Sequence, residues 1–147
     1  MKNKASFTVD ISIKDCLKFA SISGDKNKVH INKKYASKTK YKKPIIHGAF
    51  LSGLMSRMAG MEIPGKYSLV HSSNIKFKKP IYVPAKILVE GKLIGSNLVK
   101  VNFLDNTSGI LYAEGEYIFS NFNEKFKKNT KIKKIGLKKI KNSNTFV

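Results

Sequence analysis

The stretch HGAFLSGLMSRMAGM, from His47 to Met61, decides the fold. Its apolar residues, Ala49, Phe50, Leu51, Leu54, Met55, Met58, Ala59 and Met61, cover most of a helical circumference. A helix apolar nearly all round is a buried one. Ser52, Gly53, Ser56 and Gly60 keep it slim, which lets a sheet approach closely. The Met55, Met58 and Met61 series reads as plain core, and Ile63, Pro64 and Gly65 end the helix.

Upstream, ASFTVDISI alternates, with Ala5, Phe7, Val9, Ile11 and Ile13 on one face, which reads as a half-buried strand. IKDCLKFASIS follows as a short helix with Cys16, Leu17 and Ala20 at helical spacing. A loop begins at Ser21, and NKKYASKT adds further helix capped by Asn32. Downstream the period changes to two. Ile75 and Phe77 alternate with lysines, and Ile87, Val89 and Leu93 alternate with Lys86, Glu90 and Lys92. Beyond a GSN turn, Val99, Val101 and Phe103 share a face; beyond NTSG, Leu111, Ala113, Tyr117 and Phe119 return inward. The pattern predicts an α+β domain over residues 1–121, one antiparallel sheet wrapped around one long central buried helix. Residues 122–147 form a basic tail, with nine lysines from Lys125 to Lys141, read as flexible or weakly docked and dispensable for folding.

Composition bounds the function. The chain has 147 residues and a formal charge of +20, yet its only arginine is Arg57. Recognition of phosphates or bases by bidentate hydrogen bonds calls for arginine, and no aromatic–basic motif of an RNA-binding module is present, so nucleic acid is not expected as a partner. A lysine excess beside many Asn and Ile fits an AT-rich coding background. No apolar run reaches the ~20 residues of a membrane span, and no apolar region follows the basic N-terminus as it would in a secretory signal. One cysteine, Cys16, gives no disulfide framework and suits a reducing cytoplasm. It reads as a small core residue. No Cys/His cluster has zinc spacing, so neither a metal nor another cofactor is expected.

The chemistry gathers in SISGDKNKVHINKKYA, from Ser21 to Ala36. On a regular helix Asp25 and His30 would stand about 140° apart, so they converge only in a loop, and Gly24 supplies the freedom for one. A carboxylate and an imidazole sharing one water can make that water a nucleophile and manage its proton. Asp25 would act as the acid only if packed against apolar walls. Gly48 lies at the N-terminal end of the central helix, where backbone N–H groups lack intrahelical partners. Taken alone, Asp25 and Asn27 would be turn residues, His47 an anchor for the helix start and His71 a surface or packing histidine.

These two motifs, FASISGDKNKVHINKKYA followed by KKPIIHGAFLSGLMSRMAG and IPG, resemble the MaoC-like (R)-specific enoyl-CoA hydratase and dehydratase family, of hot-dog fold. The resemblance implies a carbon–oxygen lyase that interconverts trans-2-enoyl and (R)-3-hydroxyacyl thioesters of coenzyme A or acyl carrier protein. It implies Asp25 and His30 as catalytic dyad and Asn27 as support. The Gly48 N–H becomes an oxyanion donor, His47 and Gly48 substrate-binding residues, and Ser56 a site-lining serine. A homodimer is implied too, and open edge strands ask for one independently. Lys28 departs from the family's usual proline, which stiffens the turn before His30. A hot-dog thioesterase and a non-catalytic acyl-thioester-binding module are the alternatives.

Overall fold

The computed structural model describes residues 2–122, so the basic tail lies outside the described residues except for Phe122. Five strands make one antiparallel sheet: β1 (Lys4–Ile11), β2 (Ser68–Phe77), β3 (Ala85–Ile94), β4 (Leu98–Asp105) and β5 (Leu111–Asn121). Their spatial order is β1-β3-β4-β5-β2, so β3 to β5 form a meander with β1 and β2 added at its edges. The helices are α1 (Ile13–Ser23), α2 (Lys28–Ile31), α3 (Lys33–Ala36) and α4 (Gly48–Arg57), the last continuing as a π-helical turn over Met58–Glu62. The sheet wraps on α4, the expected α+β hot-dog arrangement.

Alternation places the core. Ile87, Val89, Val99, Val101, Phe103, Ala113, Tyr117 and Phe119 all point inward and are at most 2% exposed. They meet Leu51, Leu54, Met55 and Met58 of α4 and its π turn in one cluster. Burying each of the larger apolar side chains among them contributes roughly 1.5–3 kcal/mol before entropy is counted. The Tyr117 hydroxyl donates to the Ile63 carbonyl, which ties β5 to the end of the central helix.

Several readings change. Ile13 belongs to α1 rather than to β1, because Ser12 starts the helix: its N–H and Oγ both donate to Asp15 Oδ2, at 2.9 and 2.6 Å. The central helix is not buried all round, since Ala49, Ser52, Gly53, Ser56 and Arg57 face outward. Close approach comes instead from glycines in the strands. A Cβ on Gly91 would lie 2.7 Å from Met58 Sδ, and one on Gly115 2.5 Å from Met55 Sδ. Met61, expected in the core, is 73% exposed, because the wider π turn swings it off the apolar face. Leu17 is likewise exposed; α1 packs through Cys16 and Ala20.

β2 is an edge strand with Leu69, Val70 and Phe77 exposed. His71 is exposed there and hydrogen-bonds Ser120 at 2.8 Å. Among the described residues no helix is long and apolar enough to cross a membrane.

Candidate active site

The site begins where α1 ends. Gly24 has φ 78, a left-handed conformation natural to glycine, and its N–H closes the helix on the Ala20 carbonyl. The chain therefore leaves the helix at Asp25, as the divergence argument requires. Asn27 then caps α2, its Oδ1 accepting the Val29 N–H at 3.2 Å, while its own N–H donates to Asp25 Oδ1 at 3.1 Å. Lys28 is the first residue of α2, a position where proline's fixed φ suits a helix. The Asn27 cap orders that turn in this chain.

His30 is held by its inner nitrogen. Nδ1 lies 2.8 Å from the Ile45 carbonyl, and a carbonyl only accepts, so the neutral ring carries its proton there and presents a lone pair at Nε2. His47, just before α4, donates from Nε2 to the Asp25 backbone carbonyl at 3.0 Å. Its ring stacks on His30 with centroids 4.0 Å apart, and Phe19 from α1 packs against it at 4.9 Å. Asp25, His30 and His47 each bring one polar atom within 4.8 Å of the others. This is a metal-ligand composition. Face-to-face rings, however, send their lone pairs along neighbouring planes rather than to one point, so the trio suits hydrogen bonding better than tetrahedral ligation.

His30 and Gly48 both open on a pocket of about 300 Å³ walled by Ile45, Ile46, Leu51, Phe77 and Ile81. Gly48 is the first residue of α4, with its N–H free of the helix. A Cβ there would stand 2.9 Å from the Phe77 ring, so glycine is what lets the aromatic wall lie against the helix end.

Asp25, Asn27, His30, His47 and Gly48 thus come together from two separate stretches of chain, residues 25–30 and 47–48. Ser56 does not join them: it lies farther along α4 and lines a different cavity with Ser52, Met55, Val70, Ser73 and Tyr117. Asp25 is exposed, so this chain alone does not supply the apolar walls that an acid role demands. His47 is 1% exposed and sits behind Asp25 and His30, which leaves it no face for a substrate. Nor does it cap α4, as its side chain makes no hydrogen bond to the helix start. Sequence reasoning missed Phe77 and the Ile45 carbonyl. A backbone oxygen has no residue signature, and Phe77 carried only the period of its strand.

A family model described as MaoC like domain matches residues 1–109. An (R)-specific enoyl-CoA hydratase of Rhodospirillum rubrum is 32% identical over 116 residues, covering 76% of this chain and 81% of that protein. An (R)-specific enoyl-CoA hydratase of Aeromonas caviae is 35% identical over 72 residues, 49% of this chain and 54% of that protein. The match therefore spans only about half the length of the latter. Among solved structures, an (R)-hydratase from A. caviae involved in PHA biosynthesis superimposes with a TM-score of 0.75 at 26% identity, covering 81% of this chain and 94% of that one. An R-hydratase from Pseudomonas aeruginosa gives 0.74 at 27% identity, with 82% and 81% covered.

Proposed function

The chain belongs to the MaoC-like domain family, and from that premise we propose that it adds water reversibly to trans-2-enoyl thioesters to give (R)-3-hydroxyacyl thioesters. The substrate is a thioester of coenzyme A or acyl carrier protein. The observation that carries this reading is the meeting of Asp25 with His30, beside a largely apolar pocket onto which His30 and the free Gly48 N–H open.

The tautomer assigns the work. His30 Nε2, unprotonated, takes a proton from the water as its oxygen bonds to Cβ of the enoyl group. The Asp25 carboxylate, exposed and fixed by the Asn27 N–H, accepts the water's other O–H and orients it. Electrons displaced from the double bond reach the thioester oxygen, where the Gly48 N–H meets the enolate. The proton on His30 then passes to Cα. One water has been added, His30 is neutral again and the Asp25 carboxylate has kept its charge.

A second copy of the chain belongs in this reading. It would pair on the open edge of β2, cover Leu69, Val70 and Phe77, and help to enclose the exposed Asp25. We also place the enzyme in the reducing cytoplasm that a single buried thiol suits.

Purified protein is mixed with crotonyl-CoA and the loss of enoyl absorbance followed. Asp25→Asn and His30→Ala should each lower kcat by ~10²–10⁴-fold at unchanged melting temperature, and the double variant should be hardly worse. A folded Asp25→Asn protein with wild-type turnover refutes the mechanism. Free thiol released without loss of the double bond would mark a thioesterase instead, and sedimentation at micromolar concentration tests the dimer.

A further inference from the structure

Among the described residues, His47 Nδ1 is the one buried side-chain polar atom with no hydrogen-bond partner. The reaction above does not use His47, which is 1% exposed and makes no cap bond to α4. A buried nitrogen without a partner is unfavourable, and a purely apolar ring would fill the same space without that cost. What histidine combines here is an N–H at one edge and a flat face at its side. The edge holds the Asp25 carbonyl at 3.0 Å. The face lies 4.0 Å from the His30 ring, 29° from parallel.

We propose that His47 is a positioning residue for the dyad, one buried side chain that fixes Asp25 by its backbone and His30 by its ring plane. The proposal rests on the hydratase reading of those two residues. Every other hydrogen bond of Asp25 among the described residues is local: its N–H donates to Ser23 Oγ, and its carboxylate accepts from the Asn27 N–H. These bonds tie the carboxylate to the cap of α2 but do not anchor the loop to the start of α4. His30 is tied to Ile45 at Nδ1, which leaves rotation about that bond to be limited by whatever packs on the ring. His47 supplies both missing restraints from the rigid start of α4, and Phe19 backs it from α1. The water shared by Asp25 and His30 needs both partners at hydrogen-bond distance at once, so the distance between them is the quantity His47 controls.

Two variants separate its edge from its face. His47→Gln keeps an N–H able to reach the Asp25 carbonyl and loses the aromatic face. His47→Phe keeps the face and loses the N–H. Both are assayed with crotonyl-CoA beside Asp25→Asn and His30→Ala, with melting temperatures measured on the same preparations. Misplacing a catalytic group by about an ångström costs on the order of 10²-fold. Each folded variant should therefore lose roughly 10–10²-fold in kcat with little change in KM, whatever happens to its melting temperature. Should one variant fail to fold, the other carries the test. A merely structural histidine would lower the melting temperature and leave kcat per folded molecule intact; a folded His47→Gln or His47→Phe with wild-type kcat overturns the proposal. If Asp25→Asn and His30→Ala also turn over normally, it is the reaction assignment that has failed. If only they are impaired, the positioning role alone is wrong.

Discussion

Replacing Gly48 with alanine should separate stability from activity in a single methyl group. The added Cβ would stand 2.9, 3.2 and 3.4 Å from three atoms of the Phe77 ring. The three nearest atoms all belong to this one ring. The atoms met are the far end of a flexible side chain, which can retreat by the few tenths of an ångström required. Against that small cost, alanine is favoured over glycine in a helix by as much as ~1 kcal/mol. The net change in stability should therefore lie within about 1 kcal/mol of zero, leaning towards stabilisation. Activity should go the other way. The methyl and the displaced ring occupy the space a thioester carbonyl needs in order to reach the Gly48 N–H. Loss of one such donor costs ~10²–10³-fold, or about 2.7–4 kcal/mol of transition-state stabilisation. The assay is kcat/KM on crotonyl-CoA with thermal unfolding of the same sample, and Gly48→Ala combined with Phe77→Ala as control. Wild-type kcat/KM in folded Gly48→Ala would show that the carbonyl does not lie against this helix end, and the oxyanion assignment would fall.

In the sheet, Gly115→Ala should behave oppositely. Its Cβ meets Met55 Sδ at 2.5 Å and the Asn74 backbone oxygen at 3.2 Å, and overpacking of this kind costs ~1–3 kcal/mol, read as a lower denaturant midpoint. Tyr117→Phe strands the Ile63 carbonyl in the core and should cost ~1–3 kcal/mol, with turnover on crotonyl-CoA preserved. Asp105 accepts from the Ser108 N–H, the Tyr112 hydroxyl, the Ser108 hydroxyl and the Thr107 N–H, which hold its carboxyl down at about 2. A depressed carboxyl contributes stability that is fully present above about pH 4 and lost as the pH falls through about 2. Asp105→Asn should flatten the dependence of melting temperature on pH in that window, and an unchanged acid limb would contradict the assignment.

The strands were legible because one face is dry and the other wet: Val99, Val101 and Phe103 announce β4 by period alone. The meeting of Asp25 and His30 was legible because Gly24 ends α1 just before two residues that a helix would hold apart. α4 was misjudged for a physical reason. Ser52, Gly53 and Ser56 are small, and smallness fits equally a helix pressed by a sheet and one with a side turned outward. The close approach was written in Gly91 and Gly115 instead, where a strand glycine carries no helical signature. Met61 could not be placed from spacing, since a π turn breaks the spacing that the reading assumes. His47 was noticed, but the Asp25 carbonyl that explains it is a backbone atom from a distant segment.

The strand order described above also dictates how the chain must be assembled in time. Only β3, β4 and β5 pair with sequence neighbours across short turns, and such contacts close quickly. β1 must wait for β3, synthesised long after it, and β2 must cross to the far side of β5. The meander is thus the natural folding nucleus, and both edges dock late. Substitutions in the β3–β4 turn should slow refolding, whereas those at the β1 edge should mainly hasten unfolding.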